Sequence, residues 1–277
     1  MVKINKIGLM QPFLSKKTKN HIIKNITFPR SLKKIINIIE MVSHHRLYQK
    51  YAPYTKLIKT FHHIHEGDRC FIIGTGPSLN KTNFKLIQNE QLIGVNTLFT
   101  GLNKFQIKPQ YWVISDPYVF EAHYKQVLNV NTKLFLTSGA GHMYLNRKDE
   151  FSSGEKIQPI VIKRLGRGTL LSDFSKDLTK GVFASSTVVF HALQIAYYMG
   201  FTEVYLLGCD CDYSISNYFD NTGKVRPDNA EMDIHRVFSG YERAKWAFEK
   251  DNRKIYNATV GGKLEVFKRK SLEEVFA

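Results

Sequence analysis

Apolar residues follow two different spacings along this chain. Over 32–50, LKKIINIIEMVSHHRLYQK, the residues Leu32, Ile35, Ile36, Ile39, Val42 and Leu47 recur near the 3.6-residue helical period with lysines between them. That spacing predicts a basic amphipathic helix. From residue 69 the apolar runs shorten to strand length and alternate with helical stretches. Strands are predicted at Arg69–Ile73, Gln91–Val95, Tyr111–Ile114, Lys133–Thr137, Val204–Leu207 and Arg253–Tyr256. Between the fourth and fifth of these, Val182–Met199 opens with Ser185-Ser186-Thr187, continues as an apolar helix and closes at Gly200. Such alternation predicts an α/β fold with a mostly parallel sheet and helices on both faces. Ligands of these sheets bind beyond the carboxyl ends of the strands. The polar groups Gly74–Ser78, Asn96, Ser115-Asp116-Pro117 and Gly208-Cys209-Asp210 all fall at those ends.

Composition narrows the class. The chain has 277 residues, 43% hydrophobic and 23% charged, as expected for an ordinary globular protein of one large domain, or one domain with an extension. No stretch approaches the 18 apolar residues of a membrane-spanning helix. The start, MVKINKIGLMQPFLSKK, lacks the apolar run of a secretory signal, so a cytoplasmic location is expected. Cys70, Cys209 and Cys211 are odd in number and include no CxxC, which argues against a disulfide framework and against structural zinc.

Charge divides the chain in two. The net charge is +16, yet residues 1–65 hold 13 lysines and arginines against one acid, Glu40, leaving +4 on the remainder. The expected organisation is a basic, partly helical extension over 1–65 and an α/β domain over 66–277, whose nucleotide-binding catalytic role is what the resemblance below implies. The extension reads either as a solvated helical face or as a segment that lies on an anionic membrane surface. No basic stripe with interleaved aromatics is present, so nucleic acid is not an expected partner.

Several groups carry candidate chemistry. Gly74-Thr75-Gly76-Pro77-Ser78-Leu79 follows a predicted strand, where glycines permit close backbone approach and a following helix N-terminus would offer amides to a phosphate. It is neither a complete GxGxxG nor a P-loop, and a tight strand-to-helix turn explains it equally well. Ser185-Ser186-Thr187 would cap the apolar helix or hold an anion. Asp210-Cys211-Asp212 is a DxD triplet, in which Asp210 could accept a hydroxyl proton or, with Asp212, hold Mg²⁺. His235 is a candidate general base, because a free imidazole titrates near neutrality. Arg164, Arg167, Arg236 and Lys245 are further cations for a phosphate.

Taken in order, Cys70–Leu79, Gly94–Phe99, Ser115-Asp116-Pro117 and the block Ala184–Tyr213 resemble two related families. One is the bacterial sialyltransferases of glycosyltransferase family 42. The other is the MptE-like family, named for an archaeal 6-hydroxymethylpterin diphosphokinase, which the tail Ile255–Glu265 resembles more closely. The likeness covers roughly residues 65–275 and implies a Rossmann-like fold.

The sialyltransferase resemblance implies a glycosyltransferase of surface-glycan assembly. It would move a sialic-acid-like sugar from a CMP-type nucleotide donor to a glycan or lipid-linked glycan acceptor, without a required metal. Gly74, Thr75, Gly76, Pro77, Ser78, Asn96, Asp116, Ser185, Ser186 and Gly208 would then surround the nucleotide, with Asp210 beside it. Tyr213 and Tyr218 would stand near the leaving phosphate, and His235 would be the base. The same relatives imply a homo-oligomer. Two positions depart from that family, Thr75 and Asp116 standing where it carries asparagines. The MptE-like resemblance implies instead a Mg²⁺-dependent diphosphokinase, with Asp116, Asp210 and Asp212 as metal ligands.

Overall fold

A computed structural model describes residues 49–129, 132–151, 156–163, 173–212, 219 and 230–277. The sheet belongs to a compact unit that begins at Tyr48. Residues 49–59 form helix α1, and Tyr51, Ile58 and Phe61 are buried. Phe61 meets Phe135 edge-on at 5.1 Å, and His65 Nε2 lies 2.7 Å from the Tyr111 hydroxyl. These anchors place 49–65 within the unit that holds the sheet, so that unit starts well before residue 66. Of the helix predicted over 32–50, all but the last two residues lie outside the described residues.

The strands are β1 (Arg69–Ile73), β2 (Gln91–Val95), β3 (Tyr111–Ile114), β4 (Lys133–Leu136), β5 (Ile157–Pro159), β6 (Ile162–Lys163), β7 (Val182–Phe183), β8 (Glu203–Leu207), β9 (Lys254–Asn257) and β10 (Lys268–Arg269). Eight of them form one sheet in the order β10-β9-β8-β1-β2-β3-β4-β5, and β6 pairs with β7 separately. Every pairing is parallel. After α1 the helices are α2 (Leu102–Phe105), α3 (Pro117–Asn129), α4 (Ser138–Asn146), α5 (Val188–Met199), α6 (Ala230–Lys250) and α7 (Leu272–Phe276).

A parallel sheet covered on both faces needs strands that are apolar on both sides. β3, YWVI, is buried throughout, and β1 is buried from Cys70 to Ile73. Alternation along β1 divides the core in two layers. Cys70 and Ile72 join Ile93, Val95 and Val113 against Leu193, Ile195 and Ala196 of α5. Phe71 and Ile73 join Trp112, Ile114 and Leu136 against Phe120 of α3 and Ala140 and Tyr144 of α4.

α5 is the most buried helix, with every residue from Val189 to Met199 inside. Thr187 caps it by accepting from Val189 N, and Gly200 ends it in the left-handed region at φ +99°. The predicted apolar stretch 182–199 therefore divides: Val182–Phe183 is strand and the helix starts at Val188. Gln194 of α5 explains the division. Its side chain donates to Phe183 O at 2.9 Å and accepts from Phe183 N at 2.9 Å, holding that strand against the helix.

Candidate functional site

β1 lies between β2 and β8, so the strand order reverses at the β1–β8 boundary. Clefts at such reversals are where open parallel sheets take ligands. The register pairs Ile73 with Leu207, which brings the two segments leaving these strands side by side. Gly74 N–H donates to Leu207 O at 2.7 Å, and Gly76 N–H donates to Gly208 O at 2.9 Å. Glycine at 76 is a packing requirement: a Cβ there would lie 1.8 Å from Asp210 Oδ2 and 2.7 Å from Gly208 O.

Asp210 is held by Ser78 twice. Ser78 N–H donates to Oδ1 at 3.2 Å and the Ser78 hydroxyl to Oδ2 at 2.8 Å. Burial pushes the Asp210 carboxyl above the ordinary aspartate range; the Ser78 bonds pull the other way, and the nearby Asp212 charge adds to the rise. The turn is gripped on its other side by Phe219, whose N–H donates to Thr75 O at 2.8 Å and whose carbonyl accepts from Asn80 Nδ2 at 2.9 Å.

The helix expected after the glycine turn is short. Pro77–Lys81 is a single 3₁₀ turn, and the Ser78 amide that a phosphate would have used is given to Asp210. At the end of β2, Asn96 takes the left-handed conformation, φ +42°, and its side-chain oxygen accepts from Ser115 N at 3.4 Å. Since Ile73 pairs with Gly94, Asn96 leaves the sheet beside the glycine turn. Asp116 caps α3, accepting from Tyr118 N at 2.8 Å and Val119 N at 3.2 Å, so its carboxylate already has a structural task.

A second group of residues stands at the head of α5. The Ser185 hydroxyl donates to Arg236 O at 2.8 Å, and a Cβ on Gly240 would come within 2.7 Å of that hydroxyl. Ser186 is half-buried between Ser185 and the capping Thr187. The bond to Arg236 ties the segment leading into α5 to α6, one residue beyond His235, which is exposed. Direct contact thus unites Gly74, Gly76, Ser78, Gly208 and Asp210, whereas Ser185 is bonded to α6 and Asp116 to its own helix. Tyr213, Tyr218, Arg164 and Arg167 lie outside the described residues.

Sequence reading missed Lys263. Its backbone N–H donates to Asp210 O at 2.7 Å and its ammonium to Asp212 Oδ1 at 3.0 Å. The adjacent Gly261-Gly262 pair was the available signal, since both residues sit at φ +74°. The carboxylates that the resemblance assigns to Mg²⁺ already have partners in the chain. Asp210 is engaged by Ser78 and Asp212 by Lys263, and among the described residues no three His, Cys, Asp or Glu side chains are grouped to hold a metal ion.

Fold and site together define a doubly wound parallel α/β protein with its polar groups collected where the strand order reverses. Residues 45–216 match the family described as 6-hydroxymethylpterin diphosphokinase MptE-like, and the chain belongs to that family. It is glycosyltransferase-like in its relatives. A probable 3-deoxy-manno-octulosonic acid transferase of Escherichia coli K12 is 23% identical over 225 residues, covering 69% of this chain and 77% of the relative. A protein of the same description from Salmonella typhimurium LT2 is 20% identical over 198 residues, covering 61% and 74%. Among solved structures, the sialyltransferase CstII of Campylobacter jejuni, in complex with cytidine-5'-monophosphate, aligns at TM-score 0.46 and 15% identity over 74% of this chain and 85% of that one. The Maf glycosyltransferase of Magnetospirillum magneticum AMB-1 aligns at TM-score 0.45 and 14% identity over 83% of this chain, which spans 38% of that protein.

Proposed function

We propose that the protein is a glycosyltransferase that moves an acidic 3-deoxy-2-keto sugar from a CMP-type donor to a hydroxyl of a surface-glycan acceptor. The relatives described as transferases of an octulosonic acid support the sugar class. The observation that carries the reading is the docking of the glycine turn on Gly208–Asp210 at the point of strand reversal, with the His235-bearing helix bonded to the segment leading into α5.

In the proposed reaction His235 takes the proton of the acceptor hydroxyl. The acceptor oxygen bonds to the anomeric carbon while the bond from that carbon to the phosphate oxygen breaks, and CMP departs with the electron pair. Asp210, fixed by Ser78, orients a hydroxyl of the donor. The enzyme would work in the cytoplasm, with the basic N-terminal segment near anionic lipid.

A thermal-shift series with CMP, CDP, UDP, GDP and ATP, each with and without Mg²⁺, tests this. A ligand at a hundredfold excess over Kd adds about 2.7 kcal/mol, or roughly 5–10 °C in a protein of this size. CMP is expected to give the largest shift, and sugar transfer from the matching donor should follow. No CMP binding at millimolar concentration removes the reading. The family match favours one competitor, diphosphoryl transfer from ATP; a shift seen only with ATP plus Mg²⁺ would select it.

A further inference from the structure

The nucleotide rim carries Asp210 and Asp212, yet the proposed donor brings a phosphate, which is itself an anion. Lys263 sets a cation against this pair, and the surrounding chain is built to hold its backbone still. Its N–H donates to Asp210 O at 2.7 Å. Gly262, at φ +74°, lies so close that a Cβ would stand 2.6 Å from the same carbonyl. Arg269 clamps the loop from the other side, donating through Nη1 to Gly261 O at 2.7 Å and through Nη2 to Gly262 O at 3.0 Å. Beyond Lys263, Leu264 O accepts from the buried Asn257 side chain at 2.7 Å.

From this fixed backbone the side chain reaches into solvent. The Lys263 side chain is 65% exposed, and its ammonium sits 3.0 Å from Asp212 Oδ1. An ion pair whose cation stands mostly in water adds little to stability. Stability therefore gives weak reason for this much scaffolding around one lysine. A flexible stem ending in a point charge suits a phosphate.

We propose that Lys263 is the phosphate-binding cation of the donor site. Without nucleotide the ammonium rests on Asp212. With nucleotide it moves to the phosphate and offsets the charge that gathers on the departing CMP. The inference rests on the donor reading above and adds to it a cation of the chain's own.

The test is calorimetric titration of the full chain with CMP, cytidine and inorganic diphosphate, using wild type, Lys263→Met, Lys263→Arg and Asp212→Asn. Lys263→Met is expected to weaken CMP and diphosphate about tenfold while leaving cytidine unchanged. Lys263→Arg should recover most of that loss. Asp212→Asn, which releases the ammonium, should tighten CMP severalfold; a purely structural ion pair would instead make the Met and Asn variants behave alike. CMP and diphosphate bound equally by wild type and Lys263→Met overturn the inference. If Lys263→Met does not fold, unchanged phosphate affinity in Asp212→Asn overturns it. If wild type fails to bind CMP, the donor reading falls and the diphosphate arm decides Lys263 by itself: binding lost in Lys263→Met sustains the role, while no binding by wild type ends both.

Discussion

Gly76 is where one methyl group would do the most damage. The carboxylate that a Cβ would strike is the one Ser78 holds, so Gly76→Ala must either push Asp210 aside or open the β1–β8 junction. Overpacking of this kind costs about 1–3 kcal/mol, readable as a lower urea midpoint with an unchanged slope. A midpoint equal to wild type would contradict the close approach. Asp210 gives a pH signature. Its folded pKa lies above the unfolded value of 3.8, so its contribution is fully present below about pH 4 and is lost as pH rises through the folded value. Relative to Asp210→Asn, wild-type stability should therefore decline with rising pH across that window, and a parallel pair of curves would refute it. His235→Ala is expected to lower kcat roughly 10²–10⁴-fold while leaving the CMP dissociation constant unchanged. The glycines and Asp210 were legible because their meaning is local: a turn directly follows a strand. Lys263 was not, because its partner Asp210 is 53 positions away and the link runs through a backbone amide that has no residue signature.

The elements that could be read from the chain are those long enough to show a period. β1, β2 and β3 match the predicted strands residue for residue, while β4, β8 and β9 differ by one residue at their ends. β5, β6, β7 and β10 have two or three residues each, too few for alternation to register, and their positions are set by the strands they pair with: β5 and β10 at the edges of the main sheet, β6 and β7 with each other. α5 was legible as an apolar helix, but its buried polar residues, His191 and Gln194, were not interpretable from sequence. His191 is fully buried there, with Nδ1 2.8 Å from the Thr137 hydroxyl and Nε2 without a partner among the described residues. Burial lowers its pKa from 6.5 to about 4, so the native helix requires the neutral ring. The unfolded chain binds the proton first as pH falls from 6.5 towards 4. Stability should therefore drop by ~3 kcal/mol over that interval. His191→Asn should flatten that slope in urea titrations, and an unchanged slope would show that another group is responsible.

At the scale of the whole molecule, the uneven charge is the property that sequence states most plainly and that the sheet does least to explain. Residues 1–47, ahead of the compact unit that starts at Tyr48, hold ten lysines and arginines against one glutamate, a net +9, and the other 230 residues share +7. No helix among the described residues is long and apolar enough to cross a membrane. If the basic segment works at a lipid surface, attraction to anionic headgroups must supply much of the binding. Such attraction is worth about 1 kcal/mol per basic residue close to the surface, and it is screened within about 3 Å at 1 M salt. Co-sedimentation of the full chain should follow: retention on vesicles containing phosphatidylserine at low salt, release in 1 M NaCl, and little retention on pure phosphatidylcholine. Replacing Lys16, Lys17, Lys19 and Lys24 by glutamine removes up to about 4 kcal/mol, enough to lower partitioning by as much as about a thousandfold. Equal retention on neutral and anionic vesicles would sink the electrostatic reading and leave the amphipathic pattern of 32–50 to explain the binding.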